Sequence, residues 1–134
     1  MVTMFEVLRA IMDDKSLNLF EIIALYSADT DNMINRLGLT KKEYYPRIYD
    51  LRRAGLIRKS NSKYHLTSFG KVVYEAQKLI GKGMQDYWKL KAIDSIDLFE
   101  ISTDERGKII DTIIETEEIK NILINHGSTT ISKR

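Results

Sequence analysis

The chain of 134 residues contains no cysteine. That excludes a disulfide framework and any thiolate zinc site. Histidine is nearly absent too. His65 and His126 are the only imidazoles, and they lie far apart in sequence, which argues against a histidine-based metal site or triad. No nucleophile–base pair, phosphate-binding glycine loop or metal-ligand cluster is visible. Adjacent acids such as Asp13/Asp14 and Glu117/Glu118 are of the kind that helix starts and surfaces carry. The expectation is a protein that is not an enzyme and has no cofactor. No apolar run approaches the ~18 residues of a membrane span. The N-terminus MVTMFEVLRAIMDD lacks the basic start and unbroken apolar core of a signal peptide. A soluble, cytoplasmic protein without membrane contact is expected, built as one domain with a helical appendage.

Positive charge is present but localised. The whole chain nets +2, whereas residues 40–67 hold eight basic side chains against two acids and net +6. Residues 1–40 net −3, residues 64–91 net +3 and residues 92–134 net −4. A basic middle between acidic ends is a footprint for a polyanion such as DNA.

Helix-start signals recur along the first half. Thr3 with Glu6 forms a capping-box pattern, and Met4, Phe5, Leu8, Ile11 and Met12 follow at helical spacing to about Asp14. Asn18 with Glu21 repeats the signal for a second helix ending near Ser27, filled by Phe20, Ile22, Ile23, Ala24 and Leu25. Thr30 is placed to cap a short third helix with Met33, Ile34 and Leu37 inward and Gly38 as a left-handed C-cap. Thr40 with Glu43 opens a fourth, whose buried stripe is Tyr44, Ile48 and Leu51 and which Gly55 stops. Pro46 falls inside it, removing one backbone donor and crowding the carbonyl of Lys42. A kinked or two-part helix is expected there.

The second half turns to β and back to helix. Leu56–Lys59 and Lys63–Leu66 are strand candidates around a Ser60-Asn61-Ser62 turn. Thr67 caps a long helix, expected to run unbroken from about Ser68 to Ser95. Its heptad seam is Phe69, Val73, Ala76, Ile80, Gly83, Tyr87 and Leu90, widened by Val72, Leu79, Met84 and Trp88. Gly81 and Gly83 mark either a bend in it or a close helix crossing. Residues 97–103 read as a linker. Ser102 with Glu105 opens a helix through Ile109, Ile110, Ile113 and Ile114, and Thr116 starts a last short one ending at Gly127. Residues 127–134 read as a polar, disordered tail. Met4, Met12, Met33 and Met84 are expected to fill core space.

Three helices, a hairpin and a following helix, in that order, describe a winged helix-turn-helix. The fold expected is mainly α with a small β-hairpin, a long C-terminal dimerisation helix and extra terminal helices. Residues 1–15 form an N-terminal helix, 16–67 the DNA-binding domain and 68–126 the dimerisation region. The segment LRRAGLIRKSNSKYHLTSFGKVVYEA resembles the archaeal winged-helix transcriptional regulators, particularly the ArnR-like group. More distantly it is similar to the MarR and ArsR families, whose recognition helix also ends in a Leu, a basic pair, a Gly-Leu-Ile and a basic start to the wing. The resemblance is closest over residues 16–96. KLKAIDSI at 89–96 and KIIDTIIETEEIKNILI at 108–124 also look like tails of archaeal members. Pro46 and the Gly81–Gly83 pair depart from the pattern.

The reading implies a homodimer on double-stranded DNA. Lys41, Lys42, Tyr45, Arg47, Tyr49, Arg52 and Arg53 are the candidates on the outward or lateral faces of the recognition helix. Lys42 and Arg47 stand out for groove contacts, because Arg reads guanine with two donors. Arg52 and Arg53 are placed for phosphate. The tyrosines suit thymine methyls, base edges or phosphates. Asp50 would repel phosphate and is expected to point away or pair with an arginine. Lys59, Asn61, Ser62 and Lys63 surround the wing tip, and His65 belongs to the wing's framework. Phe69, Val73, Ile80, Met84, Tyr87 and Trp88 are the dimerisation candidates. The alternative is a winged-helix module for protein–protein contact in a transcription or RNA-processing complex. The effector, the operator and the direction of regulation are not legible.

Overall fold

A computed structural model describes residues 1–127. The polar tail lies outside the described residues apart from Gly127. Among the described residues the chain is mainly helical, with eight helices and one two-stranded antiparallel sheet. It divides into two units, Met1–Glu75 and a second beginning at Ala76, with the boundary inside one helix. The N-terminal helix belongs to the first unit with residues 16–67.

In the first unit, α1 spans Met4–Ala10, α2 Asp14–Tyr26, α3 Thr30–Leu37 and α4 Lys41–Arg53. The capping boxes Thr3/Glu6 and Thr40/Glu43 form as the sequence predicts. Two other starts differ. Asp13, not Asn18, caps α2 by accepting the Ser16 amide at 2.7 Å, and Asp29, not Thr30, caps α3 by accepting the Asn32 amide at 2.8 Å. A carboxylate at the N-cap satisfies an orphan amide and meets the positive end of the helix dipole. The hydroxyl of Thr30 instead shares a 2.9 Å hydrogen bond with that of Tyr44. Gly38 closes α3 at φ 63°, the left-handed geometry expected.

The core of this unit gathers Leu19, Phe20, Ile23, Met33, Tyr44, Ile48, Leu51, Leu56, Ile57 and Tyr64. The stripe Tyr44, Ile48, Leu51 is buried as the i, i+4, i+7 spacing requires. Truncating a fully buried leucine such as Leu51 to alanine would cost about 2–5 kcal/mol. Pro46 does not divide α4, which runs as one helix through it. Most of the apolar face expected for the first helix is uncovered: Val7 and Ala10 are buried and Ile11, just past the end of α1, packs on the core, while Met4, Phe5, Leu8 and Met12 are exposed. Met33 alone of the four methionines expected inside is buried; Met4, Met12 and Met84 are exposed.

Strands β1 (Ile57–Ser60) and β2 (Lys63–Leu66) pair with Ile57 opposite Leu66 and Ser60 opposite Lys63. That register leaves a two-residue turn, Asn61–Ser62, with φ of 52° and 65°. Positive φ at both central residues is the turn that suits the twist of a hairpin. Asn tolerates it; Ser does so at a cost.

The helix that follows, α5 (Ser68–Gln85), packs tightly where it starts. A Cβ on Gly70 would stand 2.0 Å from the Leu56 carbonyl oxygen, so only glycine fits. Thr67 joins the same junction: its hydroxyl accepts the Gly70 amide and donates to the Gly55 carbonyl. One turn beyond Gly70, Val73 and Tyr74 pack against the first core. The long helix expected to Ser95 is interrupted. Asp86, at φ −95° and ψ 14°, separates α5 from α6 (Tyr87–Ile96). The interruption falls at neither Gly81 nor Gly83, since glycine weakens a helix without enforcing a break. Aspartate is a poor interior helix former, although the Asp86 side chain makes no capping hydrogen bond to α6.

The second unit adds α7 (Thr103–Ile113) and α8 (Glu117–His126). Ile93, Ile110, Ile114 and Ile119 form its core, with Leu79 and Leu90 packed alongside. Arg106 is buried here. Its guanidinium donates to both Asp97 carboxylate oxygens, at 2.7 and 3.2 Å, and to the Leu123 carbonyl at 3.1 Å. The end of α6, the start of α7 and α8 meet on that one side chain. No described helix is long and apolar enough to cross a membrane.

Candidate nucleic-acid interface

Burying Tyr44, Ile48 and Leu51 fixes which face of α4 turns outward. Lys41, Lys42, Tyr45, Tyr49, Arg52 and Arg53 are exposed on it, Tyr45 at 51% and Tyr49 at 59%. The two tyrosines stand one helical turn apart. Tyr45 meets the buried Tyr44 ring edge-on, with centroids 5.1 Å apart. Arg53 donates to the Tyr49 hydroxyl at 3.4 Å.

The hairpin borders the same face. Tyr64 is buried between it and α4, with the Arg52 guanidinium 5.8 Å and the Lys59 ammonium 5.6 Å from its ring centroid. Tyr45, Ile48, Tyr49, Arg52, Arg53 and Tyr64 line an open groove of about 880 Å³. Lys59, Asn61, Ser62 and Lys63 are exposed at and beside the hairpin tip. The structure therefore brings ten of the eleven candidate residues to the outer faces of α4 and the hairpin.

Arg47 is the exception and corrects the expectation of a free groove-reading side chain. Its Nε and Nη2 donate to the Asp13 carboxylate at 3.3 and 3.2 Å, and its Nη1 donates to the Glu43 carbonyl at 2.8 Å. The side chain is 25% exposed. A second pair lies beside the first: Lys15 donates to Glu43 at 2.6 Å. Each carboxylate caps its own helix and accepts a cation from the other. Asp13 heads α2 and holds Arg47 of α4; Glu43 heads α4 and holds Lys15 of α2. Both carboxyls are held below the usual range. For Asp13 the leading cause is the Ser16 amide bond, with Arg47 adding to it, and burial opposes the shift. For Glu43 the Lys15 bond comes first, then the Thr40 amide, bringing it to about 2. Burial pushes the Tyr44 hydroxyl up to about 12, against the Thr30 hydrogen bond, so it stays protonated.

Asp50 lies on the α1 side of α4, lining a small groove of about 230 Å³ with Glu6, Arg9 and Arg53. His65 is half-buried in β2 opposite Arg58. Of the dimerisation candidates, Phe69, Ile80, Met84, Tyr87 and Trp88 are exposed, Trp88 at 78%. Val73 is not: the close approach at Gly70 turns it onto the first core.

The residues that the sequence reading missed are the ion-pair partners Asp13 and Lys15. Asp13 lies 34 positions from Arg47 and Lys15 lies 28 from Glu43, so no local spacing signals them. No family model, curated protein or solved structure matches the chain.

Proposed function

We propose that the first unit is a winged helix-turn-helix that binds double-stranded DNA, and that the protein is a homodimeric transcriptional regulator. The observation that carries this reading is the outward face of α4. Two tyrosines and four cations are exposed there beside a hairpin with two more, Lys59 and Lys63, at its end. In this reading α3 and α4 are the helix-turn-helix and α4 enters the major groove. Tyr45, Tyr49 and Lys42 face base edges. Lys41, Arg52 and Arg53 hold phosphates, and the hairpin is the wing on the backbone or minor groove. Arg47 acts as a positioning residue that keeps α4 aimed. A regulator of this kind works where the chromosome is, in the cytoplasm of a cell without a nucleus.

Operator binding through two half-sites needs two copies about 34 Å apart. Uncovered apolar side chains on both sides of the Asp86 break support the dimer: Ile80 and Met84 of α5 and Tyr87 and Trp88 of α6 are large and exposed, and Tyr87 meets Trp88 edge-on at 5.2 Å. Light scattering tests it directly. A homodimer has a mass of about 31 kDa, twice the 15.6 kDa of the chain.

Charge reversal tests DNA binding. Lys42→Glu and Arg52→Glu replace exposed side chains that make no side-chain hydrogen bond among the described residues, so folding should persist. Each is expected to weaken duplex binding at least tenfold in fluorescence anisotropy. Unchanged affinity in both variants would reject the proposed face and favour a protein-interaction module.

A further inference from the structure

Some of the basic charge is left over by the DNA reading. Side chains alternate across the hairpin. Lys59 and Tyr64 stand on the face next to α4, whereas Arg58 and His65, directly opposite each other across the strands, stand on the other face. There they line an open concavity of about 450 Å³ with Ile23, Ala24 and Ser27 of α2, Leu66 of β2, and Lys71, Tyr74 and Glu75 of α5. All of these residues belong to the first unit.

The chemistry of this lining is specific. Arg58, His65 and Lys71 offer a guanidinium, an imidazole and an ammonium from three segments. Among the described residues none of these three side chains has a hydrogen-bond or ion-pair partner. Glu75 is the one acid in the lining, and it has a partner of its own. The floor is apolar: Ile23 is buried, and Tyr74 packs edge-on to Phe20 at 6.0 Å, which fixes its ring. Three unpaired donors over an apolar floor with one ring wall suit a ligand with one anionic group on an apolar body. Arginine and lysine both bind carboxylate and phosphate oxygens, arginine with two parallel donors.

We infer that the concavity between β1, β2, α2 and α5 binds a small organic anion, with Arg58, His65 and Lys71 holding its charged group and Tyr74, Ile23 and Leu66 its apolar body. This site is separate from the α4 face, and the inference holds or fails without reference to DNA.

Nuclear magnetic resonance titration of the full chain tests it, with benzoate, phenyl phosphate and the neutral benzamide as probes. At least one anion should shift the backbone amides of residues 58, 65 and 71 saturably, and benzamide should not. Arg58→Gln and Lys71→Gln, both at exposed positions, should each weaken that anion at least fivefold while circular dichroism shows an unchanged fold. Tighter binding of benzoate or of phenyl phosphate identifies the anionic group as carboxylate or phosphate. Three results would overturn the site: no saturable shift with either anion, an equal response to benzamide, or undiminished binding by both variants.

Discussion

Asp13 and Arg47 meet in a two-pronged ion pair, at 3.3 and 3.2 Å, between the start of α2 and the middle of α4. Asp13 also caps α2, so one carboxylate fixes both the start of that helix and the angle of the next. Asp13→Ala is expected to cost about 1–2 kcal/mol, combining a lost cap of about 1 kcal/mol with a partly exposed ion pair worth up to about 1 kcal/mol. Asp13→Asn, which keeps a cap oxygen, should cost less. Urea denaturation measures both. In DNA binding, Arg47→Gln should be milder than Arg52→Gln, because Arg47 is engaged within the protein.

Acid should loosen this junction. The carboxyl of Glu43 is lowered from 4.5 to about 2 by Lys15 and the Thr40 amide, and Asp13 is lowered as well. A carboxylate whose folded value is depressed adds stability above its unfolded value and loses it as pH falls through the folded one. Stability is thus expected to be level above pH 4.5 on this account and to decline towards pH 2. Glu43→Gln should flatten that decline in a thermal-melting series against pH.

Two glycines of α5 should respond in opposite directions to the same change. At Gly70 an added methyl meets the Leu56 carbonyl oxygen at 2.0 Å. Gly70→Ala must push α5 off the first core, at a cost of about 3 kcal/mol or more. At Gly81 an added methyl meets nothing within 4 Å. There Gly81→Ala should stabilise by about 0.5–1 kcal/mol, the difference in helix propensity. Calorimetry on the two variants reads both signs.

In the second unit Asp97→Ala would leave the Arg106 guanidinium buried with, among the described residues, only the Leu123 carbonyl to accept from it. Removing one partner of a buried pair costs about 3–5 kcal/mol. Because Asp97 keeps 20% of its side chain in solvent, the lower end is expected. Hydrogen exchange should show the loss concentrated in α6, α7 and α8.

Local rules carried the sequence reading furthest. The stripe Tyr44, Ile48, Leu51, the two capping boxes, the Gly38 stop and the second strand all follow from spacings of a few residues. What stayed hidden depends on distant contact. Nothing near Arg47 announces Asp13, and nothing near Gly70 announces the Leu56 carbonyl. Competition between nearby signals misled at two helix starts, Asp13 against Asn18 and Asp29 against Thr30. Asp13 and Asn18 both suit a helix start, and the earlier one wins by also meeting Arg47. The heptad seam hid the break at Asp86, because hydrophobic spacing continues across an interruption of one residue. Val73 shows the same limit: its heptad position suits a partner helix, yet tertiary packing places it on its own core.

The salt dependence of duplex binding tests the central claim most directly. Six exposed cations, Lys41, Lys42, Arg52, Arg53, Lys59 and Lys63, face outward from α4 and the hairpin. If most of them displace counterions, a plot of log affinity against log salt falls with a slope between about −3 and −5 per protomer. Removing Arg52 with Arg52→Gln should make that slope shallower by about 1. A flat plot, or no binding to duplex DNA at about 50 mM salt, where phosphate contacts are strong, would contradict the account.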